Sequence, residues 1–286
     1  MKQIAVISGK GGTGKTMISA SFAAIAGKCV IADCDVDAAN MHLMLHPEIK
    51  ETHVFKSGQK GVIDKDKCIE CGKCITACRF DAIGRDYIVD VLSCDGCVLC
   101  SRICPAGAIE MKESTAGEWF LSDTKYGPFA HARLGIAEDN SGKLVAKVRQ
   151  AAEVMAGKTS GAVTIIDGPP GTGCPVMASI TGVDFAVIVT EPTVSGIHDL
   201  KRAADVVAHF RIKTGVIVNK YDINEEKSAE IAEYCKKENV FLLGKVPFSR
   251  MVVDAVNAGI PPVLWNDEKV KNALSEAWKN VKNIIK

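Results

Sequence analysis

Two sets of residues in this 286-residue chain have the types and spacing for chemistry. Near the N-terminus, Gly9-Lys10-Gly11-Gly12-Thr13-Gly14-Lys15-Thr16 fits the pattern G-x-x-x-x-G-K-[ST]. The glycines of such a loop let backbone N–H groups curl around phosphate oxygens at a helix N-terminus, where the helix dipole favours anions. In that pattern Lys15 reaches the β- and γ-phosphates and the Thr16 hydroxyl binds Mg²⁺. Further on, Cys68-x2-Cys71-x2-Cys74-x3-Cys78 and Cys94-x2-Cys97-x2-Cys100-x3-Cys104-Pro105 repeat one spacing. Spacers this short wrap three thiolates around one face of an iron–sulfur cubane. Zinc competes for thiolates, but its sites usually pair two C-x2-C units rather than presenting four cysteines in a row.

Composition agrees with metal chemistry. The chain carries 12 cysteines, and its first residues read as a buried strand rather than a signal peptide. A cytoplasmic location is therefore expected, where structural disulfides are disfavoured. With 47% hydrophobic and 24% charged residues the composition is that of an ordinary globular protein. The 35 basic and 34 acidic residues leave a net charge of +1, without the basic excess of a nucleic-acid binder. No apolar run approaches the ~18 residues of a membrane span.

The elements that must position these residues alternate along most of the chain. Apolar runs predict strands at Ile4 to Ser8, Cys29 to Asp33, Val163 to Asp167, Phe185 to Thr190, Gly215 to Asn219 and Val240 to Val246. Helical patterns lie between them at Lys15 to Ala26, Gly142 to Met155, Val194 to Phe210 and Glu225 to Glu238. Near-continuous Val/Ile/Ala strands followed by helices indicate an α/β fold with a doubly wound, mostly parallel sheet, whose ligands sit at the strands' carboxyl ends. The alternation breaks between about Gly61 and Lys112, the cysteine-dense stretch. A hairpin (Glu118 to Ser122, then Phe129 to Ile136) follows within Ser114 to Ser141. The expected organisation is a host domain of residues 1–60 and 113–286 interrupted by a small α+β insert of residues 61–112.

The extra, first lysine of the loop, Lys10, gives Lys-Gly-Gly-Thr-Gly-Lys-Thr, which resembles the deviant Walker A loop of the MinD/ParA, nitrogenase iron protein and Mrp-type P-loop ATPases. The resemblance covers almost everything outside the insert. It implies that ATP closes a homodimer in which Lys10 reaches the phosphates of the other subunit. Asp33-Cys34-Asp35-Val36-Asp37, with Asn40 downstream, looks like that family's first switch, and Asp35 is then the residue expected to orient the attacking water. Asp167-Gly168-Pro169-Pro170-Gly171 resembles the second switch: Asp167 would hold Mg²⁺ through water, and the Gly171 amide would sense the γ-phosphate. Asn219, in Val-Asn-Lys-Tyr-Asp, matches the asparagine that reads adenine. Taken singly, Asp and Asn at strand ends are often plain turn residues; their order and context carry the assignment.

The cysteine stretch resembles a two-[4Fe–4S] bacterial ferredoxin domain. In that arrangement the fourth cysteine of each run serves the other cluster. Cluster one would use Cys68, Cys71, Cys74 and Cys104, and cluster two Cys94, Cys97, Cys100 and Cys78. Arg79 stands where a proline commonly follows the fourth cysteine; this removes no ligand. Of the remaining cysteines, Cys29 and Cys235 read as buried small apolar groups or surface bystanders, and Cys34, between the switch carboxylates, is expected to point to the opposite face of its strand. Cys174 follows Asp167 by seven residues, the offset of a dimer-bridging cluster ligand in the nitrogenase iron protein. No second ligand is evident, and local packing beside Pro175 is the preferred reading. Apolar residues at helical spacing from Asp267 to Lys286 favour a last helix packed on the sheet over a membrane-docking one. His42 and His46 are assigned no role.

The two halves together point to a cytoplasmic, dimeric ATPase with two [4Fe–4S] clusters and MgATP. Its leading role is accessory, in metal or iron–sulfur cofactor assembly or insertion, with electron supply as an added capacity. ATP-gated electron transfer like that of the nitrogenase iron protein comes second, and MinD/ParA-like positioning with redox sensing third. A client protein or redox partner is expected without being named by the sequence; nucleic acid and membrane are not expected partners.

Overall fold

A computed structural model describes residues 2–136, 138, 141–159 and 163–286. In chain order the elements are β1 (Gln3–Ser8), α1 (Lys15–Ala26), β2 (Cys29–Asp33), α2 (His42–Leu45), β3 (Glu48–Ile63), α3 (Lys73–Ala77), α4 (Leu99–Ile103), β4 (Ile109–Thr124) and β5 (Gly127–Leu134). There follow α5 (Ser141–Lys158), β6 (Val163–Pro170), α6 (Cys174–Ile180), β7 (Phe185–Thr190), α7 (Val194–His209), β8 (Lys213–Asn219), α8 (Glu225–Lys237), β9 (Phe241–Val246), α9 (Arg250–Asn257) and α10 (Glu268–Ile285). The chain divides into two compact units. One comprises Met1–Thr52, Trp119–Arg133 and Ser141–Lys286; the other comprises His53–Glu118 and Leu134–Asn140.

The larger unit is built on a mostly parallel sheet. The nine strands run β3-β4-β5-β2-β6-β1-β7-β8-β9, and every neighbouring pair from β5 to β9 in that order is parallel. β1, β2 and β7 are buried almost throughout, as their unbroken Val/Ile/Ala composition requires of strands covered on both faces. Helix α1 buries Ile18, Phe22 and Ala23 on the core that Ile4, Ile31, Ile165 and Phe185 form. The last helix, α10, adds Val270, Leu274, Trp278 and Val281 to the same core, with the Trp278 ring 5.0 Å from Phe22. Asn280 also donates to the Leu243 carbonyl on β9 at 2.8 Å. The apolar stripe from Asp267 onward is thus a packing face. No helix among the described residues is long and apolar enough to cross a membrane.

The smaller unit has a core of its own, in which Cys74, Ile83 and Ile109 are buried with Ile63, Tyr87, Val89, Cys100 and Cys104 around them. It repeats internally. Helix α3 begins after Gly72 (φ 72°, ψ −6°) and ends at Cys78 (φ −78°, ψ 101°); α4 begins after Val98 (φ 69°, ψ −6°) and ends at Cys104 (φ −71°, ψ 111°). The halves exchange matching hydrogen bonds, Asp64 N–H to Ala108 O and Asp90 N–H to Ala82 O, each 2.8 Å.

Candidate functional site

The phosphate-type loop joins the end of β1 to α1. Gly14 precedes the helix with φ 87°, and a Cβ there would collide with the Asn219 side chain. Both the left-handed backbone and this close approach demand glycine. Gly11, Gly12, Thr13, Gly14, Lys15 and Thr16 line a cavity of about 490 Å³ together with Asp35, Asn40 and Asn219. Lys15 is only 6% exposed at its side chain, with its Nζ 3.3 Å from Asp35 Oδ2, 3.2 Å from Asp167 Oδ2 and 3.4 Å from Thr16 Oγ1. Burial alone would pull its pKa down, but Asp167, then Asp35 and Asp33, outweigh that and hold the ammonium above its ordinary range. Burial raises Asp35 in turn, against the pull of Lys15.

Asp33, at the end of β2, is a positioning group that sequence reasoning placed in the first switch segment without a role of its own. Its carboxylate accepts from the amides of Asp35 (3.1 Å) and Met41 (3.2 Å), so it braces both ends of the segment carrying Asp35 and Asn40. Burial, and after it Asp167, push its pKa up to about 8. Ser19 donates to Asp167 Oδ1 at 2.7 Å, whereas Asp167 Oδ2 and Thr13 Oγ1 are buried without a hydrogen-bond partner. The contact between Asp167 Oδ2 and Lys15 is a charge pairing outside hydrogen-bond geometry, which leaves that oxygen acceptor capacity. Oxygen donors of this kind, with the Thr16 hydroxyl alongside, suit Mg²⁺ and its water shell.

Four expected site residues stand outside the cavity lining. Lys10 is turned away, its Nζ 3.6 Å from Glu191 Oε2 and 3.2 Å from Ser195 Oγ. Glu191 also pairs with Lys220 at 2.5 Å. Asp167 lies behind Lys15, Gly9 abuts the Asp199 backbone, and the Gly171 N–H donates to Ser8 O at 2.8 Å. Asn219 lines the cavity but uses its amide locally, donating to Thr13 O at 2.8 Å and accepting from Lys220 N–H at 3.0 Å. Sequence reasoning also missed an apolar wall of Leu43, Val252, Val253 and Val256, whose two elements, α2 and α9, are short. Its signal was the valine pair Val252-Val253, which begins three residues after the N-cap Ser249.

In the smaller unit a second cavity, of about 280 Å³, is lined by Cys78 together with Cys94, Cys97 and Cys100. These are the fourth cysteine of the first run and the first three of the second. Cys74 lies close enough to Cys68 and Cys71, and Cys100 to Cys94, Cys97 and Cys78, for their charges to interact. Cys104 Sγ accepts from Ala108 N–H at 3.3 Å and belongs to the small core with Cys74. None of the 12 cysteines is paired in a disulfide. Among the described residues, no three His, Cys, Asp or Glu side chains converge as ligands of a single ion. Six of the eight thiols line the cavity or belong to the small core, and Cys68 and Cys71 lie near Cys74; thiolates spread in this way suit cubanes, which hold their ligands at the corners of a cluster.

The other cysteines separate by burial. Cys29, Cys34 and Cys235 are buried, and burial raises all three thiols, Cys29 to about 12 and Cys235 to about 11. Cys174 is exposed at the first residue of α6. His46 Nε2 lies 2.8 Å from Gly259 O, and His42 faces the buried His131 ring at 6.5 Å.

Residues 4–263 match the CobQ/CobB/MinD/ParA nucleotide binding domain. An uncharacterized protein of Methanocaldococcus jannaschii is 36% identical over 226 residues, 78% of this chain and 79% of that one. An iron-sulfur cluster carrier protein of Pyrococcus abyssi is 26% identical over 305 residues, 99% and 86% of the two chains. Among solved structures, the septum site-determining protein MinD of Pyrococcus horikoshii, complexed with Mg-ADP, superposes with a TM-score of 0.61. The two are 19% identical, and the match covers 99% of this chain and 96% of that one, a likeness of fold.

Proposed function

The chain belongs to the CobQ/CobB/MinD/ParA nucleotide-binding family, with the MinD-like P-loop fold, and we propose that it hydrolyses MgATP as a homodimer in the service of metal or iron–sulfur cofactor assembly or insertion. The observation that carries this reading is one chain holding both a phosphate-loop cavity and a cavity lined by Cys78, Cys94, Cys97 and Cys100. Likeness to a cluster carrier protein over nearly the whole chain supports the accessory role.

In this proposal Lys15 exchanges partners. Bound phosphates draw the ammonium from Asp35 and Asp167, which frees Asp35 to orient water and Asp167 to hold Mg²⁺ through its shell. Phosphoryl transfer depends mainly on such positioning and charge stabilisation. Lys10 leaves Glu191 to act across the dimer, and the Gly171 amide leaves Ser8 O to sense the γ-phosphate. Asn219 holds Thr13 and meets the adenine. In the insert, Cys68, Cys71, Cys74 and Cys104 would hold one [4Fe–4S] cluster and Cys94, Cys97, Cys100 and Cys78 the other. Such clusters would supply one-electron transfer.

A second reading, ATP-gated electron delivery, is favoured by the way Cys74, Cys100 and Cys104 are built into the small core, which suits clusters held permanently. Anaerobic ATPase assays test the enzymatic half: Lys15→Ala should lower turnover at least ~100-fold, the scale of losing a transition-state charge donor. Turnover near that of the native protein would remove the P-loop chemistry from the account.

A further inference from the structure

The two halves of the cysteine unit repeat in backbone but differ in charge, and that difference bears on the cluster reading above, on which this inference rests. In the first half, Gln59-Lys60-Gly61 overlies the Cys94–Cys100 loop. Lys60 Nζ donates to the Cys94 carbonyl at 2.9 Å. A Cβ on Gly96 (φ 71°) would strike the Gln59 carbonyl, and one on Gly61 would stand 3.8 Å from Cys100 Sγ. The same register in the second half, set by the matched pairs Cys68/Cys94 and Asp64/Asp90, places Arg85-Asp86-Tyr87 over the other loop, where the Tyr87 hydroxyl donates to Glu70 O at 2.6 Å. Lys60 therefore has Asp86 as its counterpart.

The lysine is also the sheltered charge of the two. Its side chain is 14% exposed, and its ion partner Glu138, 3.4 Å away, is equally sheltered. Arg85, Asp86 and the cations Lys65, Lys67 and Lys73 near the first loop are exposed, as is Asp95 near the second. Exposed charges are screened by water and salt, and sheltered ones much less. The polar recess of about 160 Å³ that Lys60 and Glu138 share with Ser57 also abuts Cys94. The buried Ser57 hydroxyl has no partner there.

We propose that Lys60 sets the order of reduction, making the cluster of Cys94, Cys97, Cys100 and Cys78 the one of higher potential. Each cluster takes one electron from an external reductant, passing from the 2+ to the 1+ state with no bond made or broken. The added negative charge is stabilised by the ammonium beside Cys94, since nearby charge is one of the terms that set such potentials.

The test is a dithionite potentiometric titration of the anaerobically reconstituted full chain, followed by EPR. Cys97→Ser identifies which of the two steps belongs to the second cluster. Lys60→Met should lower that step alone, by about tenfold in its reduction equilibrium, which is about 59 mV for a one-electron couple. Glu138→Gln should raise the same step, and it decides the matter by itself if Lys60→Met loses its iron. The proposal is overturned if the Cys97-dependent step is the lower one, or if these variants move both steps equally or neither. Zinc, or no iron, in the native protein would instead overturn the cluster reading itself, a result that metal analysis distinguishes.

Discussion

A buried lysine among three carboxylates is the residue-scale centre of the site. Lys15 offsets Asp35 and Asp167, and Asp33 remains in the same pocket with its pKa raised from 3.8 to about 8 by burial and by Asp167. A carboxyl raised on folding binds more protons in the native state than in the unfolded chain across that interval. Nucleotide-free stability should therefore be greatest at the acidic end and fall as pH rises from about 4 to about 8. Urea midpoints taken across this range should show the decline and lose most of it in Asp33→Asn; an unchanged slope in the variant would refute the assignment. Lys10 was legible as an extra loop lysine, but its holding place was not. Glu191, nearly two hundred positions away, meets it only through the fold. Lys10→Ala should abolish ATP-dependent dimerisation in sedimentation velocity, and dimers that persist would sink the deviant-loop reading. Asn219 shows the same limit: its strand-end position was readable, but its bond to Thr13 depends on where β8 lies beside the loop.

At the scale of elements, what the sequence disclosed follows burial. β1, β2 and β7 were readable because strands covered on both faces must be apolar throughout. The sixteen-residue β3 was not, because Phe55 and Gly61 are its only buried positions, and two glycines and several lysines interrupt any alternation. Its regularity comes from pairing with a neighbouring strand, which no local pattern records. β4, starting at Ile109 and running to Thr124, likewise begins well before the expected hairpin strand at Glu118. Of the left-handed non-glycine residues in the cysteine unit, Glu70, Asp81, Tyr87 and Val98, only Val98 is β-branched, and it adopts φ 69° where its repeat partner is Gly72. A left-handed β-branched residue costs about 1–2 kcal/mol, and glycine's greater unfolded-state entropy returns roughly 0.5–1 kcal/mol of that. Val98→Gly should accordingly raise the thermal midpoint of the reconstituted protein slightly, and a lowered midpoint would show that the valine's packing outweighs its strain.

For the whole molecule, one chain carries both a phosphate-loop cavity and a cysteine-lined one. β3 and β4 each run from one compact unit into the other, so two strands link the segments that hold the two chemistries. Sequence alone separated those chemistries because each rests on spacing, of glycines and lysine in one case and of cysteines in the other. It gave no sign of the linking strands, whose mixed composition carries no strand signature. The most direct test is an anaerobic EPR redox titration of the full chain with and without MgATP. The expected result is iron–sulfur signals from about eight irons per chain, with at least one midpoint displaced by MgATP in the native protein and not in Lys15→Ala. Superimposable titrations with and without MgATP, or a protein that holds no iron–sulfur signal, would contradict it.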